Sequence, residues 1–350
     1  MQRQKQLNEW LRQLFPDKNF TLAPASADAS FRRYFRTTFR DGGTLIAMDA
    51  PPQHEDCRPF LHAAKIFGDA GVHVPQVYDQ DLNQGFLLLS DLGNTTYLQA
   101  LSSTAIQQEN RHSSPPDLEC SIKAQELYGA ATDALIKIQL ASRDNEFPLY
   151  DEALLLQEMR LFPEWYIAKH LKVTLSAAQS SKLETVFARI VANNLAQPRV
   201  YVHRDFHSRN LMLLEENNPG IIDFQDAVYG PITYDLASLF KDAYLHWEEA
   251  EVIDWLIRYW EQARKVGLPV HEDFSELYRD YEWMAVQRHL KILGIFARLH
   301  HRDGKDGYLK DLPLVMAHLR STCARYIDLK PLLNLLDTLE PQNFQEGYTF

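Results

Sequence analysis

The sequence predicts an α+β fold of two lobes, a small antiparallel sheet with one helix followed by a larger, mostly helical lobe. Three observations predict it. The chain has 350 residues, enough for two domains or for one domain with two lobes. Its first ninety residues or so follow the two-residue period of strands, interrupted by one inserted helical segment. The remainder follows the three-to-four-residue period of helices. The expected lobes are residues 1–92 and 93–350.

Taken in order, Leu7, Trp10, Leu11, Leu14 and Phe15 recur at helical spacing, and Pro16 ends that helix. Ala23 to Ser30 reads as a loop. Phe31, Phe35 and Phe39 then mark one face of an extended segment, with Arg33 between them, while Arg32, Tyr34, Arg36 and Thr38 mark the other. Asp41-Gly42-Gly43 is a hairpin signal, and Thr44 to Met48 is the returning strand. Residues 58–70 read as helix, with Val74 to Tyr78 and Phe86 to Leu89 as strands. Residues 103–121, with Ser113-Ser114-Pro115-Pro116, read as an exposed polar loop. Leu183, Phe187, Ile190, Val191 and Leu195 mark an amphipathic helix of about 20 residues. Val200 to Val202 is a short strand. Leu211 to Leu214 and Ile221-Ile222 are two more, joined across Asn217-Asn218-Pro219-Gly220. Helical patterns continue from Tyr234 to about Tyr326.

Composition narrows the function. Apolar residues make up 45% and charged ones 24%, which excludes a disordered, collagen-like or disulfide-scaffold chain. Lys and Arg total 36 against 47 Asp and Glu, a net charge of −11. Non-specific nucleic-acid binding relies on basic residues, so no nucleic-acid partner is expected. Cys57, Cys120 and Cys323 are far apart and lack metal-ligand spacing. No apolar run approaches the ~20 residues that span a bilayer, and the N-terminus lacks the apolar core of a signal peptide. A cytoplasmic monomer without a membrane partner is the expectation. Glycine is scarce, with 14 residues where usage of ~7% would give about 25.

The chemistry is concentrated in two stretches. Tyr201-Val202-His203-Arg204-Asp205-Phe206-His207-Ser208-Arg209-Asn210 places a carboxylate and an amide five residues apart in a polar loop between apolar strands. Ile221-Ile222-Asp223-Phe224-Gln225-Asp226 places a second carboxylate at the end of the following hairpin. Phosphoryl transfer from a nucleotide needs one carboxylate to orient the attacking hydroxyl, and oxygen ligands to hold Mg²⁺ against the phosphates. Mg²⁺ takes few ligands from the protein, and Asn210 with Asp223 meets that demand. Turn-capping carboxylates are the alternative, but a turn would not require Asn210 as well.

His-x-Asp-x4-Asn followed by Ile-Asp-Phe-x-Asp resembles the signature of the aminoglycoside phosphotransferase and choline kinase family, which has the protein-kinase-like fold. The resemblance implies ATP and Mg²⁺ as cofactors, Asp205 as the catalytic base, and Asn210 and Asp223 as the Mg²⁺ ligands. It also implies structural support from His203, Arg204 and Asp235, the last in Tyr234-Asp235-Leu236-Ala237. An ordinary carboxylate at a helix N-terminus would have much the same geometry as that Asp235.

Two parts of the family pattern are missing. The expected glycine-rich loop reads Ala23-Pro24-Ala25-Ser26-Ala27-Asp28-Ala29-Ser30, and Met48 stands where Ala-x-Lys would put lysine. The expected substitutes are Ser30 with one or more of Arg32, Arg33 and Arg36, since guanidinium groups give planar, multi-donor contacts to phosphate. A basic strand edge that discourages aggregation is the alternative. Strand alternation separates Arg33 from Arg32 and Arg36. Asp28 to Arg36 resembles one subgroup, the bacterial N-acetylmuramate/N-acetylglucosamine anomeric kinases of cell-wall recycling. That likeness continues through Met48 to Pro52, through Leu89-Ser90-Asp91-Leu92-Gly93 and through Gln287 to Leu299. Asp91 is accordingly placed with the nucleotide-contacting set.

An amino sugar is the substrate this resemblance implies. Residues 288–310 hold six Lys or Arg and two acids, whereas residues 241–285 hold eleven acids and five bases. Arg288, Arg298 and Arg302, with His207, are the candidate substrate contacts, and the lactyl carboxylate of N-acetylmuramate would suit them. Salt bridges to the acidic stretch are the alternative. Trp165, Tyr166 and Trp283 are either sugar-stacking or core residues. The competing functions are another small-molecule kinase of this fold, acting on an aminoglycoside, choline or homoserine, and a non-catalytic nucleotide-binding pseudokinase.

Overall fold

The computed structural model describes residues 2–27, 31–105 and 118–340. The backbone forms two compact units: residues 1–141 with 209–227, and residues 142–208 with 228–350. This grouping follows packing, whereas the lobes expected at 1–92 and 93–350 follow the change of period.

The first unit contains α1 (Gln2–Leu14), β1 (Phe20–Ala27), β2 (Arg33–Phe39), β3 (Thr44–Asp49), α2 (Arg58–Asp69), β4 (Val77–Asp81), β5 (Phe86–Ser90), α3 (Tyr97–Ala105) and α4 (Leu118–Leu140). The strands form one antiparallel sheet in the order β1-β2-β3-β5-β4. Leu7, Trp10 and Leu11 of α1 pack on the face that carries Phe35, Ala47, Phe86 and Leu88. The other face carries Tyr34, Met48 and Leu87, directly opposite one another across β2, β3 and β5.

Several local expectations are corrected. Most of the segment read as a loop at Ala23 to Ser30 is strand β1, whose residues Ala23 to Ala27 pair with β2. Pro24 is tolerated there because β1 is an edge strand and bulges between Pro24 and Ser26. Phe31 does not share the buried face of Phe35 and Phe39. It precedes β2, is 62% exposed, and stacks on His54 at 4.5 Å. The strand expected at Val74 to Tyr78 begins at Val77, past Pro75, which has no N–H to donate. The polar stretch 103–121 includes the end of α3 and the start of α4, and residues 106–117 lie outside the described residues.

The chain then enters the second unit with α5 (Glu152–Leu161), capped by the Asp151 carboxylate, which accepts the Leu154 N–H at 3.0 Å. A π-helix (Phe162–His170) follows without a break, and then come α6 (Ala177–Ala196) and β6 (Arg199–Val202). The chain returns to the first unit for the hairpin β7 (Leu211–Met212) and β8 (Gly220–Ile221). Backbone bonds from Leu213 N–H to Thr95 O and from Ile221 N–H to His73 O, both 2.8 Å, stitch this hairpin to the first unit. Phe224 adds an aromatic contact, 4.9 Å from the ring of Phe60.

The rest of the second unit is β9 (Val228–Pro231), paired with β6, then α7 (Tyr234–Phe240), α8 (Glu249–Lys265), α9 (Phe274–Asp303), α10 (Leu312–Arg325) and α11 (Lys330–Leu339). Helical structure therefore runs past the expected limit at Tyr326. α9 has 30 residues and packs against α5, α6, α7, α8, α10 and the π-helix. Gly294 lets it press on α5, because a Cβ there would stand 2.4 Å from the Leu161 carbonyl carbon. The middle of α9 buries Glu282, Gln287, Arg288, His289 and Lys291. Buried polar and charged groups of this kind must be paired, and the partners of Gln287, Arg288 and Lys291 lead to the candidate site. No helix among the described residues is long and apolar enough to cross a membrane.

Candidate active site

Each unit holds one part of the chemical kit. In the second, β6 delivers the chain into His203-Arg204-Asp205. Arg204 adopts φ +76°, a left-handed conformation unfavourable for a side chain with a Cβ. Asp235, buried in the first turn of α7, holds the bend by accepting N–H groups from His203 at 2.6 Å and Arg204 at 3.0 Å. Burial pushes the Asp235 carboxyl up to about 7, although those two amides pull it down. Within the loop, His203 Nδ1 accepts the Asp205 N–H at 3.2 Å.

A buried ionic network backs the loop. The Arg204 guanidinium pairs with Glu158, which also receives Lys291 Nζ at 3.0 Å, Gln287 Nε2 at 3.0 Å and the Tyr150 hydroxyl. Burial raises the Glu158 carboxyl, but Lys291 and Arg204 outweigh it and hold the group down at about 2. Burial likewise opposes ionisation of Asp205, and Lys291, Arg288, His207 and Arg204 overcome it, so Asp205 stays far below the usual carboxylate range. The Asp205 side chain nevertheless keeps 39% of its surface exposed, so a hydroxyl can reach it.

In the first unit, the hairpin pairs Leu211 with Ile221, and Ile222 N–H donates to Asn210 O at 3.1 Å. That register brings Asn210 to Asp223, with Nδ2 3.3 Å from Oδ2. Asp223 adopts φ +66°, and its second oxygen accepts Gln225 Nε2 at 2.8 Å. A carboxylate and an amide side by side form a hard-oxygen donor set that fits Mg²⁺ once the amide presents its oxygen. Among the described residues, no cluster of three or more His, Cys, Asp or Glu could hold a metal.

The nucleotide-contacting candidates separate clearly. Arg33 pairs with Asp49, its cross-strand neighbour, and so does Arg3 of α1, so Arg33 belongs to the face that α1 covers. Arg36 grips Asp91 with Nε at 2.5 Å and Nη2 at 2.9 Å, and also donates to the Gly93 carbonyl. Arg32 is mostly buried, 3.7 Å from Glu55, and lies in the field of Asp223 and Asp226 as well. Met48 is fully buried where the family pattern has lysine. Ser30 lies outside the described residues.

The substrate candidates are not brought together. Arg288 is buried, with Nη1 3.7 Å from Asp205 Oδ1. Arg298 and Arg302 lie ten and fourteen residues further along α9, about 15 and 21 Å at the helical rise. Arg302 is exposed and pairs with Asp303. Trp283 and Tyr166 are core residues, packed on Tyr326 and Phe162 respectively, and Trp165 is half-buried.

His207 does border an aromatic series that sequence reasoning missed. Its ring stands edge-on to Tyr244 at 5.5 Å, Tyr244 stacks on Phe296 at 6.2 Å, and Phe296 meets Tyr308 at 5.1 Å. Asp242 was missed too. Its carboxylate accepts the N–H groups of Ser208 at 3.0 Å and Tyr244 at 3.2 Å, which fixes the loop end beside the first of these rings. Neither residue belongs to a local pattern, and only the tertiary fold reveals them.

The architecture is shared with choline kinase LicA from Streptococcus pneumoniae, whose solved structure matches 92% of this chain and 100% of its own, with a TM-score of 0.60 at 14% identity. This is the protein-kinase-like fold. Residues 21–274 match the model of the phosphotransferase enzyme family, and the chain belongs to that family. It is therefore an enzyme that transfers phosphate to a hydroxyl, and fold and family imply ATP as the donor. Two relatives match over nearly their full length. The N-acetylmuramate/N-acetylglucosamine kinase of Neisseria meningitidis serogroup B is 48% identical, with 100% of both chains covered. The protein of the same name from Pseudomonas aeruginosa is 45% identical over 96% of each.

Proposed function

We propose that this enzyme uses ATP to phosphorylate the anomeric C1 hydroxyl of N-acetylmuramate and N-acetylglucosamine, in the cytoplasm, as a monomer serving cell-wall recycling. The observation that carries the reading is near-half identity, over the whole chain, to a kinase named for both sugars. The intact Asp205, Asn210 and Asp223 support it.

In the proposed reaction Asp205 accepts a hydrogen bond from the C1 hydroxyl and aims its oxygen at the γ-phosphorus; the new oxygen–phosphorus bond forms as the bond from the γ-phosphorus to the β,γ-bridging oxygen breaks, ADP leaves, and Asp205 receives the hydroxyl proton. An anomeric hydroxyl is more acidic than an ordinary sugar alcohol because the ring oxygen withdraws electrons. A carboxylate kept strongly ionised is a weak base, so orientation is its larger contribution. Asn210 and Asp223 would hold Mg²⁺, which supplies neutralising charge for the phosphates. Arg32 adds a protein cation for those phosphates in place of the family lysine. The apolar face of the sugar packs on Tyr244 beside His207.

The test is to incubate the enzyme with ATP, Mg²⁺ and a panel of sugars and to locate the new phosphate by phosphorus–proton coupling. Coupling to the C1 proton is the expected result. Phosphate at C6, or transfer only to an aminoglycoside, would overturn the proposal.

A further inference from the structure

We infer that Arg288 is a positioning residue for Asp205 and not a contact to the sugar's carboxylate. This rests on the sugar-kinase reading above and assigns Arg288 the same task for either sugar. Arg288 lies in the middle of α9 and is 3% exposed. A guanidinium is costly to bury, so its partners define its task. Nη1 donates to the Arg204 carbonyl at 2.8 Å and faces Asp205 Oδ1 at 3.7 Å. The guanidinium carbon stands 5.6 Å from the centre of the Tyr234 ring.

The first two of these contacts converge on one dipeptide, Arg204-Asp205. The Arg204 carbonyl belongs to the residue immediately before Asp205, the one with left-handed φ. Arg288 therefore holds the backbone leading into the reactive carboxylate and faces the carboxylate itself. Lys291, three residues on and on the same side of α9, reaches Glu158 and the Tyr234 hydroxyl, both at 3.0 Å. Glu158 closes the loop by pairing with Arg204. The geometry fixes where Asp205 points before any sugar arrives. A cation committed to these partners, with so little exposed surface, is poorly placed to receive a lactyl group.

The two sugars decide the matter, because N-acetylmuramate carries a carboxylate and N-acetylglucosamine does not. For the full-length Arg288→Ala enzyme, kcat should fall roughly 10- to 100-fold with both sugars, by the same factor. KM for each sugar should move less than about threefold. Arg288→Lys keeps the charge and should recover part of the lost kcat; melting curves identify any variant that fails to fold, and Lys then stands in for Ala. A loss confined to KM for N-acetylmuramate, with N-acetylglucosamine kinetics intact, would overturn the inference, as would an unchanged kcat. Wild-type enzyme inactive on both sugars would instead sink the function reading. Arg288 would then be judged on slow ATP hydrolysis, in which Asp205 orients water, with the same drop in kcat expected.

Discussion

Asp205 is held among charges, whereas Asp223 is held among amides. Arg204, Arg288 and Lys291 surround the first, and the Glu158 carboxylate in turn fixes two of those cations. The second receives Asn210 on one oxygen and Gln225 on the other, with Arg32 acting through its field. The difference matches the two tasks proposed for them. A carboxylate that must orient a neutral hydroxyl gains from being rigid and ionised in advance. A carboxylate that would accept a divalent cation gains from neutral bonding partners, since each fixed cation packed against it would repel the ion. Neutral amides hold it in place and can turn an oxygen towards the incoming charge.

The hardest way to break the comparison is to remove the oriented carboxylate. Asp205→Ala should lower kcat by roughly 10²- to 10⁴-fold while ATP affinity, followed by isothermal titration, stays within about threefold. A comparable loss of ATP affinity would mean that Asp205 serves the nucleotide and that the division of labour is wrong. Next in size is Glu158→Gln, which leaves Lys291 and Arg204 buried beside a neutral group. Below the ordinary Glu pKa the unfolded chain takes up a proton that the folded chain refuses until about pH 2. Wild-type stability should therefore fall as pH drops from about 4.5 towards 2, and be fully present above that window. The variant should lose the Glu158 share of this pH dependence and be about 3 kcal/mol less stable at neutral pH in denaturant titrations. Asp235 has the opposite sign. Its carboxyl is raised to about 7, so its ionisation costs stability as pH rises through that value from the ordinary range near 4.

How much of this was legible in the sequence depends on whether the signal was contiguous. Asp205, Asn210 and Asp223 stand within nineteen positions, and one turn signal sets the hairpin register that joins the last two. Strand β1 was illegible because its Ala, Ser and Pro residues lack alternation, and pairing at an edge with a bulge supplied what propensity did not. Asp242 and Tyr244 act through tertiary contacts with Ser208 and His207, which no spacing encodes. The basic count over residues 288–310 looked like one anion-facing surface. Burial distributes it instead, with Arg288 inside the protein and Arg302 outside on Asp303. Linear charge density does not report which way a side chain faces.

The smallest expected effect concerns the arginines that the missing lysine brought to attention. Alternation already separated Arg33 from the other two, and the fold now separates Arg32 from Arg36. Arg33 shares Asp49 with Arg3, on the face covered by α1. Arg36 is committed to Asp91 through two bonds and to the Gly93 carbonyl. Arg32 stands 3.7 Å from Glu55 and feels Asp223, the carboxylate of the proposed Mg²⁺ site, and Asp226. Arg32→Ala should therefore raise KM for ATP about three- to tenfold, the worth of a charge-assisted contact to phosphate. Arg33→Ala should leave that KM unchanged, because its carboxylate partner keeps Arg3. Arg36→Ala should act through stability, read as a lowered Tm, because it removes the cation paired with the largely buried Asp91 carboxylate. Steady-state ATP kinetics on the three variants rank them directly. An unchanged KM for Arg32→Ala, or an equal rise for Arg33→Ala, would remove Arg32 from the phosphate site and leave the amide-held half without the cation that precedes β2.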